Sequence, residues 1–260
     1  MDRDLATIRR MKRHIMQAAF AGGEGHIASG FSILDILWVL YDRVLKLYPD
    51  DPHHDDRDRF ILSKGHGSLG LYAVLAEKGF FPMTDLQTFT NYDSRLGGHP
   101  DRNKVPGVEA STGSLGHGLP MAVGKAFALR IKKNARRVYT LIGDGECNEG
   151  SIWEAAALAG HHKLANLTCI VDYNHSTDRA LFLGDIAGKF EAFNWAVQRI
   201  SGHDHEAVYR ALIKVDPEKP SMIVAETIKG MGSKLMEGNP AWHHRAPSQA
   251  ELDQILQELA

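Results

Sequence analysis

The sequence is short of cysteine, of excess charge and of long apolar runs, and each shortage excludes something. Two cysteines in 260 residues, Cys147 and Cys169 with no C-x-x-C spacing, support neither a disulfide framework nor a structural zinc site. The 30 Lys and Arg nearly balance the 32 Asp and Glu, leaving a formal charge of −2, which gives no electrostatic footprint for nucleic acid or an anionic membrane. The longest apolar stretch, residues 33–45, is broken by Asp35, Asp42 and Arg43, far from the ~20 apolar residues that span a bilayer. The opening MDRDLATIRRMKRHIMQAAF scatters charges through its apolar positions and so lacks the continuous core of a signal peptide. These shortages predict a soluble, cytoplasmic protein with no nucleic-acid or membrane partner.

What is present is an ordinary globular composition, 43% hydrophobic and 24% charged, with one oddity: the 14 His outnumber the 4 Trp and 7 Tyr together. Short apolar runs alternate with longer amphipathic ones, the pattern of βαβ units. The expectation is an α/β fold, a three-layer parallel sheet with helices on both faces, forming one domain over residues 1–260 with a loop-rich C-terminal segment, 229–260. Apolar spacing predicts a helix over residues 5–20, and Ser32 with Asp35 resembles a capping box opening a second helix that runs to 45. The strand FILS enters Lys64-Gly65-His66-Gly67, and a helix follows over 68–78. Residues 81–113, which contain Gly97-Gly98-His99-Pro100, read as a long loop of the functional kind. A helix over 119–133 precedes the strand VYTLI, which runs into Gly143-Asp144-Gly145. Next come a helix over 149–163 and the strand LTCIVDYN ending at Asn174. A helix over 205–214 separates that strand from SMIVAETI, and a short acidic helix closes the chain over 248–259.

Asp144 and Asn174 each follow a strand, where a parallel sheet opens its ligand crevice. The glycines beside Asp144 let a phosphate approach the backbone, and the next helix offers its positive end. A carboxylate, a side-chain amide oxygen and a backbone carbonyl are hard ligands suited to Mg²⁺. Taken alone, Gly-Asp-Gly is equally a tight turn and Asn174 a helix cap.

The interval between them carries a resemblance. Gly-Asp-Gly, 28 residues and then Asn, with strand, helix and strand between, is similar to the thiamine-diphosphate fingerprint. The segment GDGECNEGSIWEAAALAGHHKLANLTCIVDYN resembles the transketolase family, as do Gly25-His26, LSKGHG around His66, GGHP at His99, PGVEASTGSLGHG and DIAGKFEAFNW, in order. This resemblance implies thiamine diphosphate with Mg²⁺, or another divalent cation such as Ca²⁺ or Mn²⁺. It assigns the metal to Asp144, Asn174 and the backbone carbonyl of Ser176, and the cofactor to His66, Gly145, Asn174, His243 and the Gly113-Ser114-Leu115 loop. His26, His66, His99 and His243 would be catalytic, with His26 and His243 near the C3 hydroxyl of a donor sugar and His99 near its C1 hydroxyl. The family pattern WHGKAP or SHGAP meets Trp242-His243-His244-Arg245-Ala246-Pro247 here. The tryptophan supports His243, counting back from the proline supports His244, and His243 is preferred. Glu149 and Glu154 match family glutamates near the contact between cofactors of two subunits. Imidazole suits such a site because its ordinary pKa of about 6.5 lets it take and return a proton near neutrality.

Full-length members of that family carry two further domains after this region, whereas the sequence ends at Ala260. The resemblance therefore implies the amino-terminal subunit of a split transferase, moving a two-carbon ketol unit from a ketose or its phosphate to an aldose or its phosphate. A separate C-terminal subunit would complete the site in an α₂β₂ heterotetramer. Where the family often reads I-D-G after the asparagine, this chain has His175-Ser176-Thr177-Asp178-Arg179, and His117 stands where glutamine is frequent. An unusual ketose fits these departures, and Arg179 reads either as an anion contact or as a surface charge. The α subunit of a thiamine-diphosphate 2-oxoacid dehydrogenase or decarboxylase, and a non-catalytic regulatory subunit, are the alternatives. The histidines of GGHP and WHHRAP favour transketolase, because sugar hydroxyls need them. His14, His53, His54, His175 and His205 read as surface residues, and His161 and His162 as positive charges at a helix end.

Overall fold

The computed structural model describes residues 2–178 and 181–260, so Arg179 lies outside the described residues. Five strands, β1 (Arg59–Leu62), β2 (Val138–Gly143), β3 (Leu167–Tyr173), β4 (Ala196–Ser201) and β5 (Ser221–Glu226), pair in the order β1-β2-β3-β5-β4. Every pairing is parallel. Side chains of a strand alternate between faces, and the apolar positions of β2 supply two separate cores. Tyr139 and Leu141 pack with α1 (Asp2–Gly22), α2 (Ile27–Val39), α3 (Ser68–Glu77), α7 (His205–Ile213) and α8 (Gln249–Glu258). Val138 and Ile142 pack on the opposite side with α4 (Gly118–Ile131), α5 (Gly150–His161) and α6 (Ile186–Ala192). The three layers are those the alternating pattern predicts.

Three expectations need correction. The second helix begins at Ile27 rather than Ser32, and Ser32 and Asp35 are buried inside it. Ser32 donates to Asp172 at 2.7 Å, and Asp35 accepts from His203 and His205, both at 2.8 Å. A local capping pattern thus loses to tertiary partners. His205 is accordingly not a surface residue; its side chain is 13% exposed. Finally, α6 and the strand β4 both lie in an interval for which the sequence pattern predicts a single helix. The sequence AVQRIS lies at the sheet edge and is only partly buried along its length, so it lacks the continuous apolar run by which a central strand announces itself. The 81–113 loop also contains a 3₁₀ turn, Met83–Thr88. Among the described residues no helix is long and apolar enough to cross a membrane.

Candidate active site

The register pairs Gly143 of β2 with Asp172 of β3, so the residues after both strands emerge side by side at the carboxyl edge of the sheet. There the Ser176 backbone N–H donates to Asp144 Oδ2 at 2.9 Å and to Asn174 Oδ1 at 3.2 Å, bringing the two expected oxygen donors together. The Asn174 amide is fixed by its other end, whose Nδ2 donates to Asp172 at 2.9 Å and to Ser32 Oγ at 3.2 Å. Its carbonyl oxygen is thereby turned away from the core. The remaining Asp144 oxygen accepts from Gly145 N at 2.7 Å.

Beneath these groups lies a buried ion pair. Asp172 is fully buried and meets the Lys64 ammonium, itself nearly inaccessible, along with the hydroxyls of Ser32 and Thr227. Burial alone would raise the Asp172 carboxyl, but Lys64 and these hydrogen bonds together hold it below the ordinary value. Asp144 differs. Burial and then the neighbouring Asp172 charge raise its pKa, and among the described residues it has no ion-pair partner. A buried carboxylate left short of positive charge beside a fixed amide oxygen fits a hard divalent cation. Among the described residues no three His, Cys, Asp or Glu side chains gather as a metal site. A cation at Asp144 and Asn174 would therefore draw its other ligands from backbone, water or a diphosphate.

Above the oxygens sits a cluster of imidazoles centred on His26, which occupies the position just before α2. Its ring centroid lies 5.1 Å from His66, 6.3 Å from His99, 5.3 Å from His243 and 4.3 Å from His244. Burial and then the surrounding histidines push His26 down to about 3. Burial and the Lys64 charge push His66 down to about 2. Both rings are therefore neutral at physiological pH. Lys229, in the segment after β5, donates to His243 Nδ1 at 2.8 Å, which leaves Nε2 of that ring to carry the proton. Lys229 itself is lowered to about 8 by burial and by repulsion from Lys64.

The expected loop fits closely underneath. Gly113 has φ +147°, and a Cβ there would come within 3.1 Å of the His99 ring; one on Gly65 would come within 2.7 Å of the Gly113 nitrogen. Leu115, Gly145, Ser176 and Thr177 line a cleft of about 100 Å³ with Lys64, His66, Asp144, Asn174, Lys229 and His243. Ser114 is exposed on the same loop and makes no hydrogen bond among those of the described residues. His117 turns its Nδ1 to the Leu115 carbonyl at 2.9 Å and is exposed. Glu149 precedes α5, packing beneath Gly116, and Glu154 is exposed on that helix. The two neighbouring histidines differ in position: His243 lines the cleft, whereas His244 lies 4.3 Å from the His26 ring, 3.7 Å from Glu24 and about half exposed.

Sequence reasoning missed Lys64, Asp172, Thr227 and Lys229. The available signals were an aspartate inside the apolar run LTCIVDYN and a lysine just past the carboxyl end of β5, the edge where such sheets place ligands.

Comparison with known proteins identifies the family. A family model described as "Transketolase, thiamine diphosphate binding domain" matches residues 2–260. The chain is 43% identical over 256 residues to an apulose-4-phosphate transketolase subunit of Actinobacillus succinogenes, covering 96% of this chain and 92% of that protein. It is 42% identical over 229 residues to the 6-deoxy-6-sulfo-D-fructose transketolase subunit SqwG of a Clostridium species, covering 85% and 83% respectively. Among solved structures, transketolase from Leishmania mexicana superposes with a TM-score of 0.92 at 32% identity, over 98% of this chain but 41% of that one.

Proposed function

The chain belongs to the transketolase family, and from that premise we propose that it is the amino-terminal subunit of a split, thiamine-diphosphate-dependent transketolase. The observation that carries the proposal is the meeting of the Asp144 and Asn174 oxygens with a cluster of neutral histidines at one sheet edge. In this reading residues 1–260 form one domain, whose C-terminal segment 229–260 brings Lys229 and His243 back to the cleft. Asp144, Asn174 and the Ser176 carbonyl hold Mg²⁺, or Ca²⁺ or Mn²⁺ in its place. Gly145, His66, Asn174, His243 and the Gly113-Ser114-Leu115 loop would receive the cofactor, with Lys229 supplying positive charge for its diphosphate.

Bound thiamine diphosphate supplies the nucleophilic carbon and the electron sink for breaking a carbon–carbon bond next to a ketose carbonyl. The chain's own groups position the sugar and move its protons. His26, held neutral, offers a ring nitrogen as hydrogen-bond acceptor to a sugar hydroxyl, and the Nε2–H of His243 donates to the neighbouring oxygen. His99 orients the end of the sugar nearest the carbonyl. Lys229 keeps His243 in the donating tautomer, because its ammonium occupies Nδ1.

The cleft of about 100 Å³ is well below the ~300 Å³ at which pockets enclose whole small molecules, which supports a second subunit closing over it. The α₂β₂ arrangement, a cytoplasmic location and a two-carbon transfer between a ketose or ketose phosphate and an aldose or aldose phosphate belong to the same reading. The relatives' names, an apulose phosphate and a sulfofructose, support an unusual ketose. Calorimetry of thiamine diphosphate with Mg²⁺ on the assembled subunits tests the site: Asp144→Ala should abolish measurable binding, and unchanged affinity would refute the assignment.

A further inference from the structure

At the end of the sheet opposite the cleft, a cavity of about 450 Å³ opens beside the amino end of β1. It lies ~20 Å along β2 from Asp144, given the rise of a six-residue strand. Its walls carry five cations, Arg57, Arg59, Arg102, Lys125 and Lys132, against two carboxylates, Asp55 and Glu109. Glu109 is already engaged, by Arg57 at 2.6 Å and by Lys125 at 2.7 Å. Among the described residues Arg59, Arg102 and Lys132 have no acidic partner. Arg59 instead donates to the Arg57 carbonyl, placing two guanidinium groups in neighbouring walls. The Nη1 of Arg57 is buried away from the open space and, among the described residues, has no hydrogen-bond partner.

Like charges held together repel, and an anion set among them removes that repulsion. Burial, and then the Arg57 charge, lower the Arg59 pKa, as expected of a cation set among cations. The planar donor forks of arginine match the oxygens of a phosphate, and lysine adds point charge. We propose that this cavity binds a small phosphate-bearing anion, at a site separate from the cleft of Asp144. The volume exceeds a bare phosphate and accommodates a sugar or nucleoside attached to it.

The test is calorimetric titration of the full chain with inorganic phosphate and, separately, with adenosine monophosphate, in chloride buffer. Arg102 and Lys132 are exposed, so the double variant Arg102→Ser, Lys132→Ala removes two cations without disturbing the Glu109 pairs. The expected result is saturable binding of at least one probe, weakened at least about tenfold in the double variant and unchanged in Lys229→Met, which removes a cation from the cleft. Tighter binding of the nucleotide identifies an organic phosphate as the ligand class, and tighter binding of the inorganic ion identifies free phosphate. Absence of binding by either probe, equal binding by the double variant, or loss of binding in Lys229→Met would each overturn the proposal.

Discussion

Replacing Lys64 by methionine probes the foundation of the site. The change keeps the aliphatic stem and removes the charge, leaving a fully buried Asp172 carboxylate without its cation. Removing one member of a buried ion pair costs ~3–5 kcal/mol. Asp172 keeps the hydroxyls of Ser32 and Thr227 and the Asn174 amide, which places the expected loss near the lower end, ~3 kcal/mol. For a chain of this length, that corresponds to a fall of about 6 °C in Tm. Thermal and urea unfolding of the ligand-free chain would measure it. Adding Asp172→Asn removes the orphaned charge and retains an oxygen for both hydroxyls, but sets its amide nitrogen against the Asn174 Nδ2 donor, so the double variant should be more stable than Lys64→Met by about 1 kcal/mol. A loss below ~1 kcal/mol for Lys64→Met, or a double variant as unstable as the sum of the single ones, would show that Lys64 does not neutralise Asp172.

Two further outcomes follow from the histidines. His26, lowered to about 3, and His66, lowered to about 2, bind protons less readily folded than unfolded, so below the unfolded value of about 6.5 the unfolded chain takes up more protons. Stability should fall by about 2 kcal/mol between pH 7 and pH 5, allowing for screening of the part-exposed rings, and fall less in His66→Asn; equal urea midpoints at the two pH values would contradict this. In the assembled enzyme His243→Ala should lower kcat/KM by roughly 10²-fold or more, the scale of a lost proton-transfer group, and His244→Ala by less than about tenfold. The reverse order would transfer the role to His244.

The parts of the fold legible in the sequence are those with one-dimensional signatures. β2, β3 and β5 are nearly continuous apolar runs because both their faces are covered. The edge strand β4 has one neighbour, is only partly buried and has a mixed sequence to match, so no local pattern marks it. The start of α2 is misleading because His26 caps nothing with its side chain, while Ser32 and Asp35 imitate a cap whose real partners, Asp172 and His203, are more than 130 residues distant.

The site divides in the same way. Asp144, Asn174, His26, His66 and His99 stand in glycine-flanked turns or at strand ends whose spacing is a motif; the structure clusters the three histidines, and His66 lines the cleft with Asp144 and Asn174. Lys64 and Lys229 are single charges in polar surroundings, and nothing local distinguishes a lysine at a cleft from one in solvent. Their importance arises from burial and from the groups opposite them, which only the folded chain supplies.

On the proposed function, this chain holds half of an active site and a second chain completes it. Ketol transfer should be assayed with the purified chain alone, with its partner alone, and with both, each saturated with thiamine diphosphate and Mg²⁺. Turnover is expected only in the mixture, rising with partner concentration until the two chains are equimolar, and full turnover by this chain alone would overturn the split site.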